Sequence, residues 1–224
     1  MNRLAIFDCD GTLADGAASI CQAMDECFAG AALPVPDAAA TRRIVGLSLP
    51  EAMRVLHPAG SADDHASLAA RYKQVFRQLR ARGMAPDPLF AGMIEAMTAL
   101  EEADWLLGVA TGKSDRGLAI CLDQHDIRGR FVTLQTADRH PSKPHPSMIE
   151  AAMAEAGAVP GTTAMIGDTS YDMEMARAAG VFALGVTWGY HDRDELLEAG
   201  ADAIAETPAD IAPLLEVGLV QERA

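Results

Sequence analysis

The chain has 224 residues, 50% of them hydrophobic and 22% charged, with a mean hydropathy of +0.07; this suits one large domain, or one domain with an insert, and excludes intrinsic disorder. The 32 acids and 18 bases give a formal net charge of −14, which excludes a nucleic-acid partner, because such binding rests on Lys and Arg against phosphates. No basic tract, no leader-like apolar stretch after Met1 and no run of about 18 apolar residues is present, so no membrane partner is expected and the predicted location is cytoplasmic.

Leu4–Phe7 is a short apolar run of strand length. From about Gly16 to Gly83 the period is helical and no strand is predicted. Ile20, Met24, Cys27 and Phe28 form one apolar face there, and Leu68, Tyr72, Val75 and Leu79 another. Turn-rich breaks fall at Leu33–Pro36, His57-Pro58 and Pro86–Pro88. Beyond them strands and helices alternate. Strands are predicted at Trp105–Ala110, Phe131–Leu134, Thr163–Ile166, Phe182–Val186 and Asp202–Ile204. Helical apolar stripes run through Met93, Met97 and Leu100, then Met148, Ala152 and Ala156, then Met173, Ala176 and Ala179. Such alternation predicts an α/β protein with a parallel sheet covered on both faces, whose ligands bind at the carboxyl ends of the strands. The predicted division is a core of residues 1–15 and 85–224 with an all-helical insert over 16–84.

Between Asp15 and Met84 eight Lys/Arg stand against seven Asp/Glu, so the excess negative charge lies in the core. Lys73, Arg77 and Arg80 sit at helical spacing and read as a solvated face. Cys9, Cys21, Cys27 and Cys121 lack metal-binding or redox spacing and read as reduced, small apolar residues. The six histidines are scattered and read as surface or loop residues.

The first strand runs into Asp8-Cys9-Asp10-Gly11-Thr12-Leu13-Ala14-Asp15. Alternation puts Asp8 and Asp10 on one side, and Gly11 permits a sharp turn whose N–H groups suit a phosphate. Two carboxylates at the end of a buried strand are costly unless an ion or a substrate uses them. Three later stretches carry further polar groups: Val109-Ala110-Thr111-Gly112-Lys113, Ser142-Lys143-Pro144 and Met165-Ile166-Gly167-Asp168-Thr169-Ser170-Tyr171-Asp172. Singly, each has an ordinary reading: a strand-end hydroxyl, a loop lysine, an Asp capping a helix.

Together and in this order the four stretches resemble the motifs of the haloacid dehalogenase superfamily. The resemblance implies a Rossmann-like parallel-sheet core with an inserted all-helical cap domain, the cap being residues 16–84. It implies Mg²⁺ held by Asp8, the backbone carbonyl of Asp10 and Asp168, with Asp172 acting through water or through Lys143. Asp8 would be the nucleophile and Asp10 the acid and then the base. Thr111, the Gly112 N–H and Lys143 would hold the phosphoryl group, with Gly11 and Thr12 also in the phosphate-binding turn. The implied partner is a small phosphorylated metabolite, for a monomer or homodimer.

The run Gly185-Val186-Thr187-Trp188-Gly189-Tyr190 looks like the phosphoglycolate phosphatase group. The cap loop, expected to include Arg43, Gly46, Leu47 and Ser48, would meet the leaving group, with Arg43 toward an acidic one. Rival readings are a β-phosphoglucomutase-like mutase and a non-catalytic phosphate binder. The mutases carry a hinge histidine where this chain has Ile20 beside Ser19, and a binder would have lost Asp8 or Asp10. Asp10, Asp168 and Asp172 argue against dehalogenation, and Asp10 against phosphonate hydrolysis.

Overall fold

The computed structural model describes residues 1–221. Its centre is a six-stranded, all-parallel sheet of order β3-β2-β1-β4-β5-β6. The strands are β1 (Asn2–Phe7), β2 (Trp105–Thr111), β3 (Phe131–Thr136), β4 (Ala158–Gly167), β5 (Phe182–Val186) and β6 (Ala203–Ala205). The core helices are α5 (Met93–Glu102), α6 (Asp115–Gln124), α7 (Ser147–Ala156), α8 (Ser170–Ala179), α9 (Arg193–Glu198) and α10 (Ile211–Gln221).

Period-two alternation in β1 builds both faces. Ala5, Phe7 and Cys9 pack with Met93, Met97, Leu118 and Leu215 on one side; Leu4 and Ile6 pack with Met148, Ala152 and Met173 on the other. β1 pairs with both β2 and β4, so the chain leaves β1 toward one edge and later crosses to the other. That reversal opens a crevice beyond the carboxyl ends of β1 and β4.

Between β1 and α5 the described structure is helical: α1 (Ala17–Gly30), α2 (Ala38–Arg43), α3 (Leu49–Leu56) and α4 (Ala62–Ala81). These helices have a core of their own, with Met24, Cys27, Phe28, Met53, Leu68 and Leu79. The 20-residue α4 starts from a capping box, in which Ser61 and Asp64 satisfy each other's N–H groups. No helix among the described residues is long and apolar enough to cross a membrane.

Several strands exceed the sequence expectation: β1 starts two residues early at Asn2 and β2 runs on to Thr111. β4 begins five residues earlier, at Ala158, and its register with β1 shifts between Asn2 and Leu4; the exposed Pro160-Gly161 in that stretch hides it from an apolar pattern. β3 continues to Thr136 through polar but buried residues. Their polarity is matched inside the fold: Thr133 donates to Glu155, and Gln135 donates to Thr133.

Candidate active site

Asp8 follows β1 directly, and its N–H still bonds the Ile166 carbonyl at 2.9 Å, so the sheet fixes its backbone. Its side chain is fully buried, with Oδ1 accepting from the Cys9 N–H at 2.6 Å. Oδ2 lies 3.0 Å from Lys143 Nζ but off the direction of an aligned hydrogen bond, and accepts none. Burial pushes the Asp8 carboxyl up to about 6; Lys143 opposes the rise, while Asp172 and Asp10 add to it. Cys9 turns to the opposite face, where its Sγ is 3.8 Å from that of Cys121, and both thiols are free.

Gly11 has φ +86°, and a Cβ there would stand 2.1 Å from Asp168 Oδ2. Only glycine fits both the conformation and the space. The turn uses its polar groups differently from the sequence expectation. The Gly11 N–H donates to the Ala14 carbonyl at 2.9 Å, and the buried Thr12 hydroxyl donates to Asp168 Oδ1 at 2.7 Å. The Gly11 N–H thus closes the turn and the Thr12 hydroxyl aims Asp168. The Asp10 carboxylate faces Lys113, with Nζ 2.7 Å from Oδ1. Burial alone would lower the Lys113 ammonium, yet Asp10 beside it holds it well above the ordinary lysine range.

Asp168 stands at the end of β4, where Oδ2 also accepts the Tyr190 N–H at 2.9 Å. It does not cap α8; Thr169 does, in a capping box with Asp172. Asp172 thereby points one oxygen back to Thr169 and the other to Lys143 Nζ, at 2.6 Å. Lys143 is itself fully buried; burial pulls its ammonium down, but Asp172 and Asp8 more than reverse this and hold it raised. Asp8, Asp168 and Asp172 offer ligand atoms all within 4.8 Å of one another. The Asp168 carboxyl is pushed well up, first by burial and then by Asp172 and Asp8.

Asp8 and Asp172 thus share one lysine, Asp168 beside them is held only by Thr12 and the Tyr190 N–H, and one Asp8 oxygen accepts no hydrogen bond. A small divalent cation bound by oxygen donors fits this surplus of negative charge. Asp172 has both oxygens engaged, by Thr169 and by Lys143. Asp172 stands beside Asp8 and Asp168, whereas the Asp10 side chain turns to Lys113, which leaves Asp10 only its backbone to offer an ion.

Thr111 ends β2 fully buried, and its hydroxyl accepts from the Lys113 N–H at 3.3 Å. A Cβ on Gly112 would lie 2.6 Å from the Gly46 carbonyl oxygen and 2.7 Å from that of Leu47. The loop between α2 and α3 therefore rests directly on the end of β2. Ser48 N–H donates to Ser142 Oγ at 2.8 Å nearby. Together the helical insert and the core enclose a cavity of about 530 Å³, with Asp8, Asp10, Thr111 and Gly112 on its core side and Ile20 on its insert side.

Arg43 does not line this cavity. It ends α2, and its guanidinium bonds Glu195 on α9, while its carbonyl accepts from Tyr171 Oη at 3.1 Å. The expectation that Arg43 faces the leaving group is corrected. Arg43→Ala should accordingly change KM for acidic and neutral esters alike, within about twofold, since the pair is half-exposed; steady-state kinetics on one ester of each kind checks this. A selective loss on acidic esters would return Arg43 to the substrate.

Lys73, Arg77 and Arg80 gain a role that helical spacing did not show. Lys73 and Arg77 are exposed, as a solvated face should be, and with the less exposed Arg80 they also border the cavity from α4. Two histidines also depart from expectation: His65 and His191 are buried, the latter accepting from the Ser170 N–H. Sequence reasoning missed Lys113 as the partner of Asp10, although it closes the same stretch as Thr111 and Gly112. It also missed the backbone donor of Tyr190, for which no side-chain signal exists.

The family model for haloacid dehalogenase-like hydrolases matches residues 5–186. "Probable phosphatase IndB" of Dickeya dadantii is 36% identical over 214 residues, covering 94% of this chain and 92% of that protein. A phosphoglycolate phosphatase of Vibrio parahaemolyticus is 25% identical, covering 96% and 95%. Among solved structures, the haloacid dehalogenase-like family protein SP0104 of Streptococcus pneumoniae aligns with a TM-score of 0.81 at 26% identity, covering 95% of this chain and 97% of that one. This chain belongs to the haloacid dehalogenase-like hydrolases and is a phosphatase, a phosphoric monoester hydrolase.

Proposed function

We propose that the protein hydrolyses a small phosphomonoester through an aspartyl-phosphate intermediate, in the manner of the phosphoglycolate phosphatases, with Mg²⁺ at Asp8, Asp168 and the Asp10 backbone. The observation that carries this reading is the Asp8 carboxylate: buried, held by the sheet, on the cavity, and with one oxygen that accepts no hydrogen bond. Bound there, Mg²⁺ would neutralise charge on the phosphoryl oxygens.

The residues of the chain do the rest. Thr111 and the Gly112 N–H hold the phosphoryl oxygens, and Lys143 offsets the charge of Asp8 and Asp172. Asp8 attacks phosphorus while Asp10 gives a proton to the departing alkoxide. Asp10, now ionised, takes a proton from the water that attacks the aspartyl phosphate, which returns Asp8 as a carboxylate and releases inorganic phosphate. Lys113, paired with Asp10, keeps that carboxylate aimed along the cavity until it takes the proton of the attacking water. Residues 16–84 act as a cap over residues 1–15 and 85–224, closing through the Gly46–Leu47 loop to exclude bulk water.

Transfer to water is favoured over mutase chemistry by Ile20, which lines the cavity; among the described residues no histidine does. The test is phosphate release from a panel of small phosphomonoesters, with Mg²⁺ and with EDTA. Turnover that needs Mg²⁺ is expected. A protein that binds phosphate yet releases none from any ester would be the non-catalytic binder instead.

A further inference from the structure

The cavity is large for a two-carbon acid. At about 530 Å³ it falls in the range of about 300–1,000 Å³ typical of sites that enclose ring-sized organic ligands. Its cap wall is apolar, formed by Ile44, Val45, Leu47 and Leu49 with Tyr72 and Phe76 of α4. The two rings lie 5.8 Å apart at 35°, a tilted aromatic panel.

Charge matching around this wall leaves a remainder. Lys113 pairs with Asp10 and Lys143 with Asp8; Arg80 pairs with Asp87 at 2.8 Å, and Lys73 faces Asp138 at 3.6 Å. Arg77 on α4 and Arg116 on α6 also line the cavity. Neither has an acidic partner or a side-chain hydrogen bond among the described residues, and both are exposed. One comes from the insert and one from the core. In a chain of net charge −14, two unmatched guanidinium groups on one cavity mark a place for an anion other than the phosphoryl group placed at Asp8, Thr111 and Gly112.

We infer that the preferred substrate is a phosphomonoester of a ring-sized, partly apolar alcohol bearing a second anionic group. The ester phosphate sits at Asp8, the ring lies against Tyr72, Phe76 and the Leu47–Leu49 segment, and Arg77 and Arg116 bind the distal anion. This inference rests on the phosphatase reading and names its substrate class; it moves the specificity once expected of Arg43 to α4 and α6.

The test compares 4-carboxyphenyl phosphate with 4-carbamoylphenyl phosphate, its neutral counterpart of similar shape, and with phosphoglycolate. For the wild type, kcat/KM is expected to favour the carboxylate over the amide by about tenfold, and over phosphoglycolate by at least as much. Arg77→Ala and Arg116→Ala should each bring the carboxylate-to-amide ratio toward one. A lowering of both aryl esters in equal proportion, or a preference for phosphoglycolate, would overturn the inference and leave the phosphatase reading standing. Calorimetric binding of the same esters to Asp8→Asn with Mg²⁺ separates the reverse case. Arginine-dependent binding of the carboxylate there, with no turnover by the wild type, would uphold the substrate class and defeat the phosphatase reading. Absence of both would remove the two together.

Discussion

Asp8→Asn is expected to lower phosphomonoester turnover by at least on the order of 10³-fold, the scale on which loss of a covalent nucleophile is felt. The substitution keeps the shape and the Oδ1 acceptor for the Cys9 N–H, and removes one of three buried acids. Its effect on stability should therefore be opposite in sign to its effect on rate. The folded-state pKa of Asp8 is raised to about 6, above the roughly 3.9 of an unfolded Asp. In metal-free protein the folded state then binds more protons than the unfolded state between these values, and this group's contribution falls as pH rises through the window. At pH 7 the metal-free Asn variant should melt higher than the wild type, and Mg²⁺ should narrow the gap. Steady-state phosphate release and thermal unfolding with and without Mg²⁺ check both halves. An active Asn variant would remove Asp8 from the chemistry, and a destabilised inactive one would make the lost activity a folding defect.

Lys143→Met carries the second large effect. Its ammonium is fully buried between Asp8 and Asp172, and removing one partner of a buried ion pair typically costs about 3–5 kcal/mol. The variant leaves Asp8 and Asp172 without their cation, so the Asp8 carboxyl, which Lys143 holds down, rises further and the folded state holds more protons. The deficit relative to wild type should be largest above pH 6 and shrink as pH falls toward 4, where protonation substitutes for the missing charge. Mg²⁺ should recover part of it at pH 7.5. Denaturant unfolding at several pH values measures this directly. A deficit indifferent to both pH and Mg²⁺ would reduce Lys143 to a packing role.

Much of this site is legible as letters at fixed spacing because the chain reuses one structural position, the carboxyl end of a strand. Asp8 and Asp10 follow β1, Thr111 and Gly112 close β2, and Asp168 follows β4; a parallel sheet gathers such ends side by side. The strands were legible because burial on both faces makes them nearly continuous apolar runs. The polar extension of β3 and the early start of β4 were not, since their partners come from elsewhere in the chain. Thr12 shows the same limit at one residue. Its place in the motif was visible, but the hydroxyl's donation to Asp168 depends on β4 arriving beside the turn.

By itself the sequence determined the α/β alternation, the helical stretch after β1, and the four polar stretches that meet at the site. The tertiary structure decided which cations face that site. Helical spacing puts Lys73, Arg77 and Arg80 near one another on α4, but spacing carries no information on what that face meets. The docking of the insert turns them to the cavity and sends Arg43, on the shorter α2, outward to Glu195. The physical reason is range: local periodicity fixes a side chain's direction relative to its own helix, whereas its surroundings are set by packing between elements far apart in the chain.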